Sequence, residues 1–252
     1  MRIISSILAL GAVISLVVGC GSSGSSTTTT TTDAQSGRAS TAVGQISKKQ
    51  AIAYAHEVNL VAADVPGAVV GLEERESGAP SRESAEFARC AGAVNPDRRV
   101  VDVKSATFRI GRGTAATQVK SSVEVMPTAA LAARNYAAAR SPRGHTCLAQ
   151  ALPRVVQGAT PLGARAGTAT ASFLPDLLPP GQESFGVRIT TSLTRIVGGK
   201  QVRLPVYLDI FELLAGPAEV GLSATSASRP ASSTTERRLL SLLYSRAQEH
   251  KL

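Results

Sequence analysis

The sequence predicts an α+β fold, an antiparallel sheet flanked by helices. Three observations predict it. First, Phe185, Val187, Ile189, Thr191 and Leu193 alternate with polar residues, and so do Val202, Leu204, Val206, Leu208 and Ile210. Gly198-Gly199 lies between the two runs and is a favoured two-residue hairpin turn. Second, the strand segments come as hairpins with helical periodicities outside them, which argues for α+β and against α/β. Third, the chain is only 4% aromatic and has no tryptophan, so its core must be Val, Leu, Ile and Ala. Antiparallel strands need only one face covered by such a core.

The folded region is expected over residues 46–252 as one domain. Ser47-Lys48-Lys49-Gln50 reads as a capping box, S-x-x-Q, with Ile46 and Ala51 placed as a hydrophobic staple. Ala51, Tyr54, Ala55, Val58, Val61 and Ala62 then recur at helical spacing, carrying the first helix to Pro66-Gly67. Ser81 can cap a short second helix through Phe87 and Cys90, with Gly92 as its stop. Val100 to Ile110 is strand-like. Val119-Lys120-Ser121-Ser122-Val123-Glu124-Val125 alternates cleanly, so Val119, Val123 and Val125 face the core. Pro127-Thr128 starts an alanine-rich helix through about Arg140. Cys147 begins or precedes another apolar piece, Leu148 to Val156.

In the later hairpin, pairing Val197 with Lys200 sets the register. It places Leu193 opposite Leu204, Thr191 opposite Val206, Ile189 opposite Leu208 and Val187 opposite Ile210. One whole face is then apolar. On the other face Arg188 meets Asp209, a cross-strand ion pair of about 0.2–1 kcal/mol. Pro205 lacks a donor N–H and favours an edge or a bulge. Gly216-Pro217 turns the chain into a strand from Glu219 to Ser226, with Val220, Leu222 and Ala224 inward. Ser233-Thr234-Thr235-Glu236 reads as a second capping box. Leu239, Leu240, Leu243 and Ala247 make an apolar stripe on the C-terminal helix, read as packing on the sheet in preference to a membrane-surface helix.

The N-terminal region has another character. Arg2 precedes a nearly apolar run, Ile3 to Val18, too short for the roughly 20 residues of a spanning helix. It has the length of the apolar region of an export signal. Val17-Val18-Gly19-Cys20 resembles a lipobox, the motif of bacterial lipoproteins. The resemblance implies that residues 1–19 are removed, that Cys20 carries a diacylglycerol, and that its new amino group is acylated. Stable anchoring takes two or more acyl chains, and a diacylglyceryl thioether supplies two. Residues 20–45 follow as a Gly/Ser/Thr-rich tract with a threonine run from Thr27 to Thr32. Such a composition cannot bury enough apolar surface to order itself. As a flexible tether it spans roughly 25–30 Å root-mean-square. The threonines are candidate O-glycan sites. The expected location is the extracytoplasmic face of the cell membrane, with the membrane as a partner through the anchor.

The chain carries 27 Lys and Arg against 18 Asp and Glu, a net charge of +9. A basic exterior suits anionic headgroups, acidic wall polymers or an acidic partner; it also serves plain solubility. Export and scarce stacking aromatics argue against nucleic acid. With Cys20 lipidated, Cys90 and Cys147 remain, and an even pair in an exported protein reads as a disulfide. Two isolated thiols do not make a zinc site, and no metal or cofactor is expected. Gly111-Arg112-Gly113-Thr114-Ala115-Ala116 matches G-x-G-x-x-A but precedes a strand, where a dinucleotide site needs a helix. His56 has no second histidine four residues away. His145 lies in Ser141-Pro142-Arg143-Gly144-His145, read as a turn, and His250 lies in the tail. Arg140, Arg143 and His145 could form an anion-binding patch or a solvated loop. No catalytic constellation emerges.

Val103 to Phe108, the strand Val119 to Val125, the spaced alanines that follow, Cys147-Leu148, the two long strands and the leucine-rich terminal helix together resemble a known family. It is the extracellular sensor domain of actinobacterial serine/threonine kinases (PknH-like) and its lipoprotein relatives. The resemblance spans roughly Ser47 to Ala247. It implies a PsbP-like antiparallel sheet flanked by helices and a ligand-binding or sensing role without chemistry. That domain usually carries two disulfides, and this sequence has cysteines for one. The expected function is a membrane-anchored envelope lipoprotein with a sensor-like domain. Its ligand would be a small molecule, a wall fragment or a protein. A lipid carrier or chaperone is the alternative, and an exported hydrolase is a further one.

Overall fold

The computed structural model describes residues 46–71, 82–158, 164–174, 177 and 184–252, the side chains of 152–158 excepted. Cys20, the export signal and tether expected over residues 1–45, and Ser81 lie outside the described residues. The helices are α1 (Lys48–Val58), α2 (Arg82–Ala91), α3 (Ala129–Arg140), α4 (Pro142–Gly158) and α5 (Ser233–Glu249). No described helix is long and apolar enough to cross a membrane. The strands are β1 (Val69–Val70), β2 (Val101–Lys104), β3 (Phe108–Ile110), β4 (Thr117–Val125), β5 (Ala164–Ala166), β6 (Thr170–Leu174), β7 (Ser184–Val197), β8 (Lys200–Ala215) and β9 (Ala218–Ala227). They form one antiparallel sheet in the order β1-β3-β4-β9-β8-β7-β5. β2 also pairs with β4, and β6 also pairs with β7. The architecture is the expected α+β one.

α1 starts as its sequence dictates. The Ser47 hydroxyl accepts from the Gln50 N–H at 3.3 Å, and the Gln50 side chain accepts from the Ser47 N–H at 3.1 Å. It ends sooner than periodicity suggests, and Val61 is 48% exposed instead of joining the stripe. The cause is tertiary. Buried Asn59 donates to the Val103 carbonyl at 3.1 Å and accepts from the Ser121 hydroxyl at 2.7 Å, while Leu60 N–H donates to the same hydroxyl at 2.9 Å. These bonds replace the next helical turn. Beyond them Ala62–Asp64 forms a 3₁₀ turn, and Asp64 takes a two-pronged Arg246 at 2.7 and 2.8 Å.

Val100 to Ile110 is two strands rather than one. Ser105 breaks it: its hydroxyl accepts from the Ser121 N–H at 2.9 Å, a bond that a continuous ladder would give to a carbonyl. β2 and β3 then lie one after the other along the same side of β4. The Gly111 to Ala116 segment is the loop joining β3 to β4, with a 3₁₀ turn at Gly113–Ala115.

The β7–β8 hairpin has the expected register, Val197 opposite Lys200 through Val187 opposite Ile210, with Arg188 opposite Asp209. Gly198 and Gly199 have φ of +57° and +75°. A two-residue turn with both central residues in the left-handed region matches the right-handed twist of the strands and is open to glycine.

The sheet has two unlike faces. One carries Val101, Val103, Val119, Val123, Val125, Phe211, Leu213, Val220 and Leu222, and α1 and α5 cover it. The α5 stripe of Leu239, Leu240 and Leu243 is fully buried there. The helix starts one residue earlier than the sequence suggests, with Ser232 as its N-cap accepting from the Thr235 N–H at 3.5 Å. Glu236 therefore caps nothing. It occupies the head of the buried stripe instead, 2% exposed. The other face is covered in part, by α3 on β8 and β9 and by α4 on β5 and β6.

Candidate functional site on the half-open face of the sheet

The alternation that turns Val119, Val123 and Val125 inward turns Gln118, Lys120, Ser122 and Glu124 to the second face. On β9 the same rule places Glu219, Ser223 and Thr225 there, and on β8 Glu212, Ile210 and Leu208. β4 and β9 are central strands, yet Gln118, Lys120, Ser122, Ser223 and Thr225 are half-buried only. A strip of hydroxyls thus runs from a carboxylate end past two lysines, Lys120 being opposite Ser223 and Gln118 opposite Thr225. Lys104 on β2 is opposite Ser122, and Glu124 is opposite Glu219. Glu124 and Lys120 are about 13 Å apart along the strand.

The carboxylate end is closed by α3. Asn135 donates its amide to both oxygens of Glu219, at 3.0 and 2.9 Å, and accepts from the Val94 N–H at 3.1 Å. Glu219 is 6% exposed. Burial, and then the charge of Glu212, push its carboxyl up to about 9, against the opposing Asn135 bond. Glu219 is therefore protonated at neutral pH, which removes the repulsion that two carboxylates paired across a ladder would suffer. Burial and then Glu124 raise Glu212 to about 7. Glu124 is also raised by burial, with Arg99 opposing. Arg99 bridges Glu124 at 2.5 Å and Asp102 at 3.5 Å, its own side chain 9% exposed. Among the described residues no group of three or more His, Cys, Asp or Glu is placed to hold a metal ion.

A second acidic cluster sits under α5. Arg188 meets Asp209 as the register requires, with two hydrogen bonds at 2.6 and 2.7 Å. The pair was expected on the face opposite the apolar one, and the structure places that face under α5, with Val187, Ile189, Leu208 and Ile210 on the other side. Asp209 shares its face with Phe211 and Leu213 and is fully buried. Burial and a hydrogen bond to Asp209 push the Glu236 carboxyl up to about 8, so it is protonated at neutral pH and donates to Asp209. The missed signal was Glu236 at helical spacing with Leu239, Leu240 and Leu243. Glu219 was missed because only one face of β9 was treated as covered.

Cys90 and Cys147 form a disulfide that joins α2 to α4 across 57 residues of sequence, with a Cα–Cα distance of 5.7 Å. Arg140, Arg143 and His145 do not converge. Arg143 donates to the Cys90 carbonyl at 2.5 Å, Arg140 lies over the Tyr136 ring at 5.4 Å, and His145 stacks on Phe173 at 3.5 Å. Burial lowers the His145 pKa. Nor is Ser141 to His145 a turn: it opens α4, with the Ser141 hydroxyl accepting from the Gly144 N–H at 2.9 Å and Pro142 in the first helical position. Gly144 is required there, because a Cβ would meet the Ala138 and Ala139 carbonyl oxygens of α3 in steric clash. His56 is exposed on α1, and His250 follows the last turn of α5.

No family model matches this sequence. No curated protein matches it either. Among solved structures, the chain shows a weak similarity to the extracellular domain of PknH from Mycobacterium tuberculosis, with a TM-score of 0.39 and 9% identity over 82% of this chain and 99% of that one.

Proposed function

We propose that this protein is a lipid-anchored component of the bacterial envelope whose folded domain binds a polar ligand on its half-open sheet face, as a sensor-like module without chemistry of its own. The Val17-Val18-Gly19-Cys20 motif and the Gly/Ser/Thr tract after it support the anchor. The observation that carries the binding role is the half-buried strip of Ser122, Ser223 and Thr225, with carboxyls at one end and Lys104 and Lys120 directly across the ladder from Ser122 and Ser223. Such a strip suits a hydroxyl-rich or zwitterionic molecule, a wall fragment among them. The carrier alternative needs an apolar cavity. Ala55, Val58, Leu213, Val220, Leu239, Leu240 and Leu243 each show 0% exposure, so no water-sized space adjoins them between the sheet and α1 or α5.

Two measurements test the reading. Intact mass and membrane fractionation of the wild type and of Cys20→Ser test the anchor; an unmodified wild-type Cys20 would overturn it. Native mass spectrometry of the purified protein with soluble peptidoglycan fragments tests the strip. Binding should disappear in Ser223→Leu, which fills it. Binding that survives in Ser223→Leu places the ligand elsewhere.

A further inference from the structure

The β7–β8 hairpin outruns its neighbours. β9 ends at Ala227, opposite Val206, and β5 reaches only as far as Arg195. From Val206 to Lys200 the hairpin continues alone on the β9 side for about 20 Å. Its tip exposes aliphatic side chains where a soluble hairpin would carry polar ones: Ile196 is 62% exposed, Val202 47% and Val197 37%. Exposed Arg195, Lys200 and Arg203 surround them, and exposed Arg165 flanks them on β5. Residues 164–166 and 192–206 contain no Asp or Glu. An apolar tip ringed by cations with no compensating acid has the composition of an interfacial membrane contact: aliphatic groups enter the acyl boundary while the cations meet anionic headgroups.

The alternative occupant, a second copy adding to the free edge of β8, is disfavoured by the same residues. Pro205 lies on that edge with no N–H to donate, and the Pro205 carbonyl already accepts from the Ser228 N–H at 3.0 Å. Two copies would also bring Lys200 and Arg203 against their own kind.

We infer that the β7–β8 hairpin tip, Arg195 to Arg203, is a membrane-docking finger that inserts Ile196, Val197 and Val202 into an anionic bilayer surface and so fixes the orientation of the domain. This goes beyond the anchor at Cys20, because it concerns a second and reversible contact made by the folded domain itself. Docking would set which way the half-open strip faces.

The chain has no tryptophan, so a single Ile196→Trp is an unobstructed reporter. The protein as purified from membranes, carrying Ile196→Trp, is placed in vesicles of phosphatidylglycerol or of phosphatidylcholine, each with and without brominated acyl chains. The expected result is blue-shifted, bromine-quenched emission in phosphatidylglycerol alone. Val69→Trp, at the exposed far edge of the sheet, should stay unquenched. Arg195→Glu/Lys200→Glu/Arg203→Glu in the Ile196→Trp background should weaken docking at least about a hundredfold, at about fivefold per cation. Water-like emission from the Ile196→Trp reporter in both lipids overturns the proposal, as does equal quenching of the Val69→Trp and Ile196→Trp proteins. Blue-shifted emission that depends on protein concentration and ignores bromine would show self-association instead and also overturns it. An absent anchor would appear separately, as an unmodified mass at Cys20.

Discussion

The face under α1 and α5 and the face under α3 and α4 are built on the same strands, yet one excludes water and the other admits it. On the first, valines and leucines from five elements close to 0–1% exposure, and the larger polar groups are paired, Asn59 with Ser121 and Arg188 with Asp209, while Ser226 Oγ and one Glu236 oxygen are buried without a partner among the described residues. On the second, central β4 and β9 present Lys120, Ser122, Ser223 and Thr225 at half burial. Fully burying a leucine or valine is worth about 1.5–3 kcal/mol, so stability is concentrated on the sealed side. The open side is free to carry residues chosen for recognition. Its helices are held by two smaller apolar clusters, Ala132 of α3 with Met126 and Leu148 of α4 with Val187 and Ile189, by the amide latch of Asn135, and by a covalent bridge from α2 to α4.

The largest expected effect breaks the sealed face. Asp209→Ala leaves the Arg188 cation and the Glu236 carboxyl without their partner. It should cost about 3–5 kcal/mol in urea unfolding, the range for a broken buried pair. A cost under about 1 kcal/mol, the surface-pair range, would show that the pair is not sealed in. Removing the bridge with Cys90→Ser/Cys147→Ser should come next, near 4 kcal/mol for a loop of 57 residues if unfolded-chain entropy dominates. Its signature distinguishes the faces. Hydrogen exchange should speed up in α2 and α4 and stay slow in α1 and α5.

The pH dependence sharpens the comparison. Glu219 and Glu236 have folded-state values of about 9 and about 8, above the ordinary 4.5 of an unfolded glutamate. Between those values the folded chain holds protons that the unfolded chain has lost, so stability falls as pH rises from about 5 to about 9. Glu219→Gln and Glu236→Gln keep a neutral amide in place and should each flatten that slope, raising stability at pH 8 by about 1 kcal/mol or more. The faces should differ in what opens. Arg188 opposes the rise at Glu236, and Asn135 and Arg99 oppose it at Glu219, yet Glu219 is raised further, to about 9 against about 8, so its penalty keeps growing to higher pH. Alkaline pH should therefore release α3 before α5, visible as exchange in Ala129–Arg140. Equal behaviour of the two helices would refute this ranking.

Much of the sealed face was legible in the sequence. Alternation gave the inward residues of β4 and β9, Gly198-Gly199 gave the hairpin register down to Arg188 opposite Asp209, and the Ser47 box gave the start of α1; on β7 and β8 the alternating Val187, Ile189, Leu208 and Ile210 lie on the other face instead. Two departures share one physical origin, which is polar side chains bonded to distant backbone. Asn59 ends α1 on Val103, and Ser105 cuts a strand on Ser121. Ser141-Pro142 carried a readable helix start, but proline suggested a turn. The half-open face was not legible, because β-strand periodicity marks which residues share a face and is silent on whether a helix covers it. Glu219 looks like any solvent-facing residue until Asn135 of α3, 84 positions away, is seen to grip it.

The smallest expected effect is the one closest to function. Ser223→Ala and Thr225→Ala remove hydroxyls from a half-open surface, and substitutions of that kind stay within about ±0.5 kcal/mol. Neither should move the urea midpoint or the exchange pattern of α1 and α5. If the strip holds ligand, both should weaken peptidoglycan-fragment binding, each lost hydrogen bond costing about 0.5–1.5 kcal/mol, or roughly a two- to tenfold rise in Kd. A matched pair on the sealed side, Val220→Ala and Leu222→Ala, should do the reverse, costing about 1–4 kcal/mol in stability while leaving the Kd of the folded fraction unchanged. The double dissociation is the test of the division of labour between the faces. If the sealed-face pair shifts ligand affinity as much as the open-face pair, the two sides are one cooperative unit and the strip has no privileged role.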